Sequence, residues 1–428
     1  GPKGGSVILY RYESYLKHQI FTKEDWTGGL YGTNTIAGSR SGTIVSLTWA
    51  TLLYNGHQSF MQKANTIQTI DNLKYLKNFF DVEVIFPLRN KESSDNTQIL
   101  SNVYGNINGI QFKGKNHFLP FGRIYFFEKI SFHLSNYIWS KKISKSYLKD
   151  KKNYFFTRSD WVFYFLSKNN MNVTFECHQL SKLRKFIIKK AMKFSNSKII
   201  FLNKQLLIDS KIPDIYQSKT KILGNGVDSN LFNSTSIKNN NRIIFVGNLK
   251  RFNKDRNLKF IINCFIDKDI NSQYTLDILG GNEKECEELE LMIGDLNLSK
   301  SINIINRKDR RETIKQIKSS DIGLLINSSD NEHSYKYTSP LKYFEYLYAE
   351  LKVIAVDFPS HKELPFSNNI SFFSENDIKS FKEALFKTKD IKPISLNALQ
   401  DLTLEYRSSE IFNFIHNARP EGLEPPTL

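Results

Sequence analysis

The sequence predicts an α/β protein of two sizeable domains built on parallel sheets, and three observations carry that prediction. A chain of 428 residues exceeds what one hydrophobic core usually organises. Hydrophobic residues at 40% and charged residues at 24% are the proportions of a chain that buries a core, which excludes wholesale disorder. From about residue 65 onward, short apolar runs alternate with stretches of helical periodicity, the pattern of parallel strands covered by helices.

The first segment is set apart by composition. Nine of the 21 glycines lie between Gly1 and Gly56, and residues 1–62 carry little of the net charge, so a junction is expected near residue 60. Thr66 to Phe79 then places Ile67, Ile70 and Leu73 at helical spacing, and Val82 to Pro87 follows as a strand stopped by proline. Further strands are expected at Tyr154–Thr157, Val173–Glu176, Ile199–Leu202, Ile243–Val246, Thr275–Leu279, Ile302–Ile305, Ile322–Ile326 and Val353–Val356. Ser210 to Asn240 is rich in Ser, Lys and Asn without long periodicity and reads as a connection. The expected organisation is a fragment over 1–62, an amino-terminal domain over 65–215, a linker over 216–240, a carboxyl-terminal domain over 241–390, a closing helix over 391–416 and a disordered tail over 417–428.

A net charge of +17 favours anionic partners such as nucleic acid, an acidic membrane or a phosphorylated small molecule. No nucleic-acid recognition motif accompanies it, so nucleic acid is not an expected partner. Three cysteines without CxxC spacing indicate neither a disulfide framework nor a zinc site, and fit a reducing, cytoplasmic compartment. The nearest metal-type run, Asp267-Lys268-Asp269, sits on an expected surface turn and reads as chance. No apolar window is long enough to cross a membrane. Phe112 to Lys152 interleaves aromatics with lysines, which suits core packing, the preferred reading, or peripheral contact with an acidic membrane.

Three segments carry chemistry. In Tyr337-Thr338-Ser339-Pro340-Leu341-Lys342-Tyr343-Phe344-Glu345, a helix start suits a phosphate and a carboxylate further on can accept ribose hydroxyls. The plainer alternative is an amphipathic helix with Glu345 on a solvated face. Ile243 to Val246 ends in Gly247, which lets a backbone approach a ligand, and Asn248, Lys250, Arg251, Lys254 and Arg256 follow as either anion-neutralising side chains or a solvated loop. Asn225-Gly226-Val227-Asp228 is a compact turn. Val173 to His178 is a strand ending in His, and Arg158 ends the strand before it.

These segments, in this order, resemble the family 4 retaining glycosyltransferases, over about residues 65–415. The likeness lies in Asn225-Gly226-Val227-Asp228, Val246-Gly247-Asn248-Leu249 with Lys254, Gly280-Gly281, Ser320-Asp321-Ile322-Gly323-Leu324-Leu325, and Ser339-Pro340-Leu341 with Glu345. It implies two Rossmann-like domains facing a cleft, the GT-B arrangement, and a nucleotide diphosphate sugar as donor with a saccharide or lipid-linked acceptor and no metal. It also implies site roles: Glu345 on the ribose; Gly247, Ser339, Pro340 and Leu341 around the diphosphate; Lys254, with Lys250 or Arg251, on its charge; and His178 toward the donor sugar. Asn225, Gly226 and Arg158 are expected at the same cleft. Two positions depart from the family pattern: Tyr337 stands where an acid is usual and Asn248 where an Arg is usual.

Gly1-Pro2-Lys3-Gly4-Gly5-Ser6 and Asp25-Trp26-Thr27-Gly28-Gly29-Leu30-Tyr31-Gly32 through Gly38-Ser39-Arg40-Ser41-Gly42 resemble a second family, the sphingosine-1-phosphate lyases, over about residues 1–62. That family uses pyridoxal phosphate bound to a Lys in a His-Lys-Tyr run, which this sequence does not contain, so the cofactor is not expected. Both likenesses read as partial. The transferase-like part lacks the family's opening strand, so its amino-terminal domain is expected to be incomplete, with an open edge in its sheet and lower stability than the carboxyl-terminal one.

Overall fold

The computed structural model describes residues 21–23, 31–33, 64–88, 107–117, 128–149, 151–233, 236–251 and 254–416. The chain divides into two compact units, residues 1–66 and 67–428. In the first, β1 (Phe21–Lys23) and β2 (Tyr31–Thr33) pair antiparallel. The rest of the lyase-like stretch, with Gly38, Ser39 and Arg40, lies outside the described residues, as does the expected tail over 417–428.

The second unit takes up the chain within the helix Ala64–Leu76. It holds a parallel pair, β3 (Val82–Leu88) and β4 (Ile110–Asn116), and a four-stranded parallel sheet of β5 (Tyr154–Thr157), β6 (Asn172–Cys177), β7 (Ser197–Phe201) and β8 (Thr220–Ile222) in that order. Among the described residues no strand joins the pair to the sheet, so β5 has one neighbour and its Tyr154 and Phe156 are exposed.

β8 corrects the reading of 216–240 as a linker throughout. Thr220, Lys221 and Ile222 pair with Ile199, Ile200 and Phe201, and the sheet gains an edge strand from a segment too short and too polar to show periodicity. In the stretch from Phe112 to Lys152, the helix Glu128–Ser146 buries Trp139 and sets Tyr137 edge-on against Trp161 at 4.8 Å, which is core packing. Residues 118–127 lie outside the described residues.

The carboxyl-terminal half is built on six parallel strands: β9 (Arg242–Val246), β12 (Thr275–Leu279), β13 (Ile302–Ile305), β14 (Ile322–Leu325), β15 (Lys352–Val356) and β16 (Ile370–Phe373). Their order is β13-β12-β9-β14-β15-β16, the doubly wound arrangement. The continuous runs Ile243-Ile244-Phe245 and Val353-Ile354-Ala355-Val356 are buried, as strands covered on both faces require. A hairpin of β10 (Lys250–Arg251) and β11 (Lys254–Asp255) leaves the end of β9.

The helix Leu404–His416 returns to the amino-terminal half, where Ile411 and Ile415 pack with Leu76 and Ile200. Lys198 Nζ donates to the carbonyls of Phe414 and Ile415 at 2.6 and 2.8 Å and closes that helix end, satisfying acceptors that have no partner within the helix. Hydrogen exchange is expected to show lower protection over β3, β4 and β5 than over β9, β12 and β14, because open edges and separate sheets open locally at lower cost. Equal protection would show that β5 is paired.

Candidate donor site

In the six-stranded sheet the strand order reverses between β9 and β14, and open parallel sheets take ligands at the carboxyl ends of their strands beside such a reversal. β9 ends in Gly247 at φ +142°, and β14 runs on through Ile326 to Asn327. Arg256 closes the gap between them. Its Nε donates to Asn327 Oδ1 at 2.9 Å, its Nη1 to the Asn248 carbonyl at 3.2 Å and its Nη2 to the Ile326 carbonyl at 3.4 Å. A Cβ on residue 247 would stand 3.2 Å from Arg256 Nη1, so glycine keeps the guanidinium close to the strand end. Arg256, Asn327, Ser328, Asn331 and Ser334, with Lys254 at the rim, line a pocket here.

Asp255 and Asp330 also line the pocket, and two cations lie near the Phe245 ring beside it. Lys342 Nζ lies 3.9 Å from the centre of the Phe245 ring, and the Arg256 guanidinium lies 5.4 Å from it, so two cations bear on one aromatic ring. Buried His361 donates Nδ1–H to the Val356 carbonyl at 2.8 Å. Burial pushes its pKa down to about 4, so it adds no charge at neutral pH. Asn248 stands where the resemblance expects an Arg, and its Oδ1 accepts from Arg307, which follows β13. A guanidinium thus arrives at this position from beyond β13, two strands away in the sheet.

Ser339, Pro340 and Leu341 open the helix Leu341–Tyr348, in which Pro340 holds the N-cap and no side chain caps the first turn. A π-helical turn, His333–Tyr337, leads into it, a geometry often found at functional sites. Tyr337 does not stand in for an acid at the cleft: its hydroxyl donates to Asp209 Oδ2 at 2.6 Å. Glu345 is buried and ion-paired with Arg310 from the helix Arg310–Lys318, so the solvated-face alternative is wrong. Burial would lower the Arg310 pKa, but Glu345, supported by Asp71 and Asp228, outweighs it and holds the guanidinium charged.

The remaining expected residues fall into two groups. Lys250 is paired with Glu288 at 2.6 Å, and exposed Lys254 with Asp330 at 3.5 Å. Arg251 lies in the hairpin, and its side chain lies outside the described residues. The residues over 158–178 and 224–226 instead meet in a buried junction. Glu176, at the end of β6, accepts from Arg158, from Arg407 of the return helix and from His178 Nε2 at 2.8 Å. Burial opposes ionisation of Glu176, but Arg407, Arg158 and His178 together hold it well below the ordinary carboxylate range. Burial also lowers the His178 pKa despite Glu176, so its ring is neutral at neutral pH.

Asn225 accepts from Gln68 and donates to the Ser339 carbonyl at 2.6 Å. Gly226 packs on the backbone of Thr403, where a Cβ would come within 2.9 Å of a carbonyl oxygen. The turn therefore ties the helix Ala64–Leu76, the start of the helix at Leu341 and the return segment together. Asp267 and Asp269, the metal-type pair, both grip Lys382. Among the described residues no group of three or more His, Cys, Asp or Glu is placed to hold a metal ion.

The sequence offers Arg256 among the basic residues after Gly247 but assigns it no site role, and it does not point to Asn327, Arg307, Arg310 or Arg407. Arg256 had a usable signal, because it stands immediately before Asn257-Leu258, where a helix begins. The others come from distant segments and are joined to the site only by folding.

Residues 228–393 match the sequence model of the family described as glycosyl transferases group 1. The solved structure of Anabaena HepE in complex with UDP and glucose is 14% identical, covers 81% of this chain and 94% of its own, and superposes with a TM-score of 0.56. The apo form of the lipopolysaccharide outer core galactosyltransferase WaaB is 13% identical with a TM-score of 0.58, covering 82% of this chain and 95% of its own. Among curated proteins, sphingosine-1-phosphate lyase 1 of Rattus norvegicus is 33% identical over 153 residues, which is 35% of this chain and 26% of the lyase. The chain thus spans about a quarter of that lyase. Residues 228–393 form a glycosyl transferases group 1 domain within a GT-B fold, in a chain that also carries a segment similar to part of a sphingosine-1-phosphate lyase.

Proposed function

We propose that the chain transfers a sugar, of hexosyl type, from a nucleotide diphosphate sugar to a saccharide or lipid-linked acceptor with retention of configuration. The observation that carries this reading is the convergence, where β9 and β14 diverge, of Gly247, the Arg256 guanidinium and the uncapped helix start at Leu341, with the buried carboxylate of Glu345 one turn further on. A diphosphate is neutralised by Arg256 and Arg307, with Lys254 at the rim, and meets the amides of the helix start. Ribose hydroxyls donate to the carboxylate of Glu345, which the ion pair with Arg310 holds in place. Neutral His178 hydrogen-bonds the donor sugar and the charge that develops as the glycosidic bond breaks. HepE and WaaB, whose folds this chain shares, support the same class of chemistry.

Isothermal titration with UDP and GDP tests this reading. Binding of one of them is expected, weakened roughly tenfold or more in Glu345→Ala, about 1.4 kcal/mol, through loss of the charge-assisted ribose bonds. No binding to either nucleotide, or an unaffected variant, would sink the proposal. The similarity to sphingosine-1-phosphate lyase favours a second reading, a non-catalytic lyase remnant joined to an accessory domain. Growth of an aldimine absorbance band after incubation with pyridoxal phosphate would support some lyase-type cofactor chemistry; none is expected.

A further inference from the structure

The return helix contributes to the proposed cleft through one side chain. Arg407 is buried and spends its guanidinium on three elements: Nη2 on Glu176, Nη1 on Asn72 Oδ1 at 2.8 Å and Nε on the Gly224 carbonyl at 2.7 Å. Glu176 in turn divides its two oxygens. Oε1 takes Arg407, while Oε2 takes Arg158 and His178 Nε2. The carboxylate plane is therefore fixed from the return helix on one side and presents its other oxygen to the imidazole on the other. Asn225, next to the carbonyl that Arg407 holds, donates to Ser339 at the start of the Leu341 helix.

We propose that Arg407 is a positioning residue that orients His178 through Glu176, so that docking of the carboxyl-terminal helix sets the geometry of the donor cleft. The inference rests on the proposed role of His178 in sugar transfer. The physical basis is that a buried carboxylate held by a bidentate-capable guanidinium has one orientation, and a ring bonded to that carboxylate inherits it. The groups facing His178 in this arrangement are Glu176 on β6, Arg158 after β5 and Arg407 on the return helix. Thr69, on the helix Ala64–Leu76, holds Arg158 Nη1 at 2.9 Å.

The test is an NMR titration of the His178 ring in the full chain, compared between wild type, Arg407→Lys and Arg407→Met, with UDP and GDP titrations on the same samples. Arg407→Met removes a cation near the imidazole while Arg158 still pairs with Glu176, so the His178 midpoint is expected to rise by about one unit. Arg407→Lys keeps the charge and is expected to restore the midpoint to near the wild-type value. In a transfer assay Arg407→Met should lower kcat by roughly 10- to 100-fold, as a small misplacement of a reacting group does, with nucleotide affinity unchanged. An unmoved His178 midpoint in Arg407→Met, or a fall in nucleotide affinity equal to the fall in kcat, would overturn the proposal and leave Arg407 a structural residue. If Arg407→Met does not fold, Arg407→Gln with a raised midpoint and Glu176→Gln with a lowered one carry the same decision, and a wild-type midpoint in either overturns it. Failure of wild type to bind either nucleotide would strike the transferase reading, while the His178 titration still decides this one.

Discussion

Replacing Gly280 by alanine is expected to destabilise the carboxyl-terminal half by about 3 kcal/mol or more, the upper end of what a residue forced into a glycine-only conformation costs. Gly280 follows β12 at φ +141°, a conformation disfavoured for a residue with a side chain. A Cβ there would fall 1.9 Å from the Gly247 carbonyl oxygen, so backbone and not a movable side chain must yield. Gly247 is the residue that ends β9, and the two strand ends cannot separate without losing the bond from the Gly247 amide to the Leu279 carbonyl. The substitution should therefore damage stability and nucleotide binding together. Denaturant unfolding with a midpoint equal to that of wild type would show that the two strand ends are not in contact.

Glu176→Ala is expected to cost about 3 to 5 kcal/mol, because removing one partner from a buried ionic cluster leaves the others uncompensated. Arg407 would keep a buried charge and Arg158 a partly buried one, each with one acceptor lost. Burial raises the Glu176 pKa and the two guanidiniums lower it further than burial raises it, so its folded value lies below its unfolded value. Its contribution to stability is then fully present above the ordinary carboxylate pKa and lost as pH falls through the depressed folded value. The advantage of wild type over Glu176→Gln should accordingly be full at neutral pH and disappear only in strong acid. Melting temperatures of the two proteins across that range check the sign; an advantage that grows toward acid would contradict it.

Much of the fold was legible because buried parallel strands read as unbroken apolar runs, and β9, β12, β14 and β15 are such runs. β4 was not, since Ile110-Gln111-Phe112-Lys113-Gly114-Lys115-Asn116 mixes Lys and Gln with its apolar residues and is only partly buried. β8 is three residues in a Lys-rich stretch, and its pairing with β7 is fixed by the sheet and not by its own pattern. At the site, Gly247, Ser339 and Glu345 were visible because backbone freedom, a helix start and a spaced carboxylate leave local marks. The charge partners were not. Lys254 looked suitable by its position in the hairpin, yet it points to exposed Asp330 while Arg256, two residues on, reaches across to Asn327. Arg310 and Arg407 meet Glu345 and Glu176 across separations of 35 and 231 residues, which no local periodicity can report. Tyr337 reads in the sequence as a departure from the expected pattern, and its bond to Asp209 comes only from the fold.

The most direct measurement is hydrogen exchange of the full chain with and without saturating UDP or GDP. A donor site between β9 and β14 predicts added protection confined to residues 247–257, 326–331 and 339–345, with little change in β3, β4 or the first 62 residues. Protection appearing only in those first residues, or no change anywhere at a nucleotide concentration that saturates a typical micromolar site, would contradict the placement of the donor at this crevice.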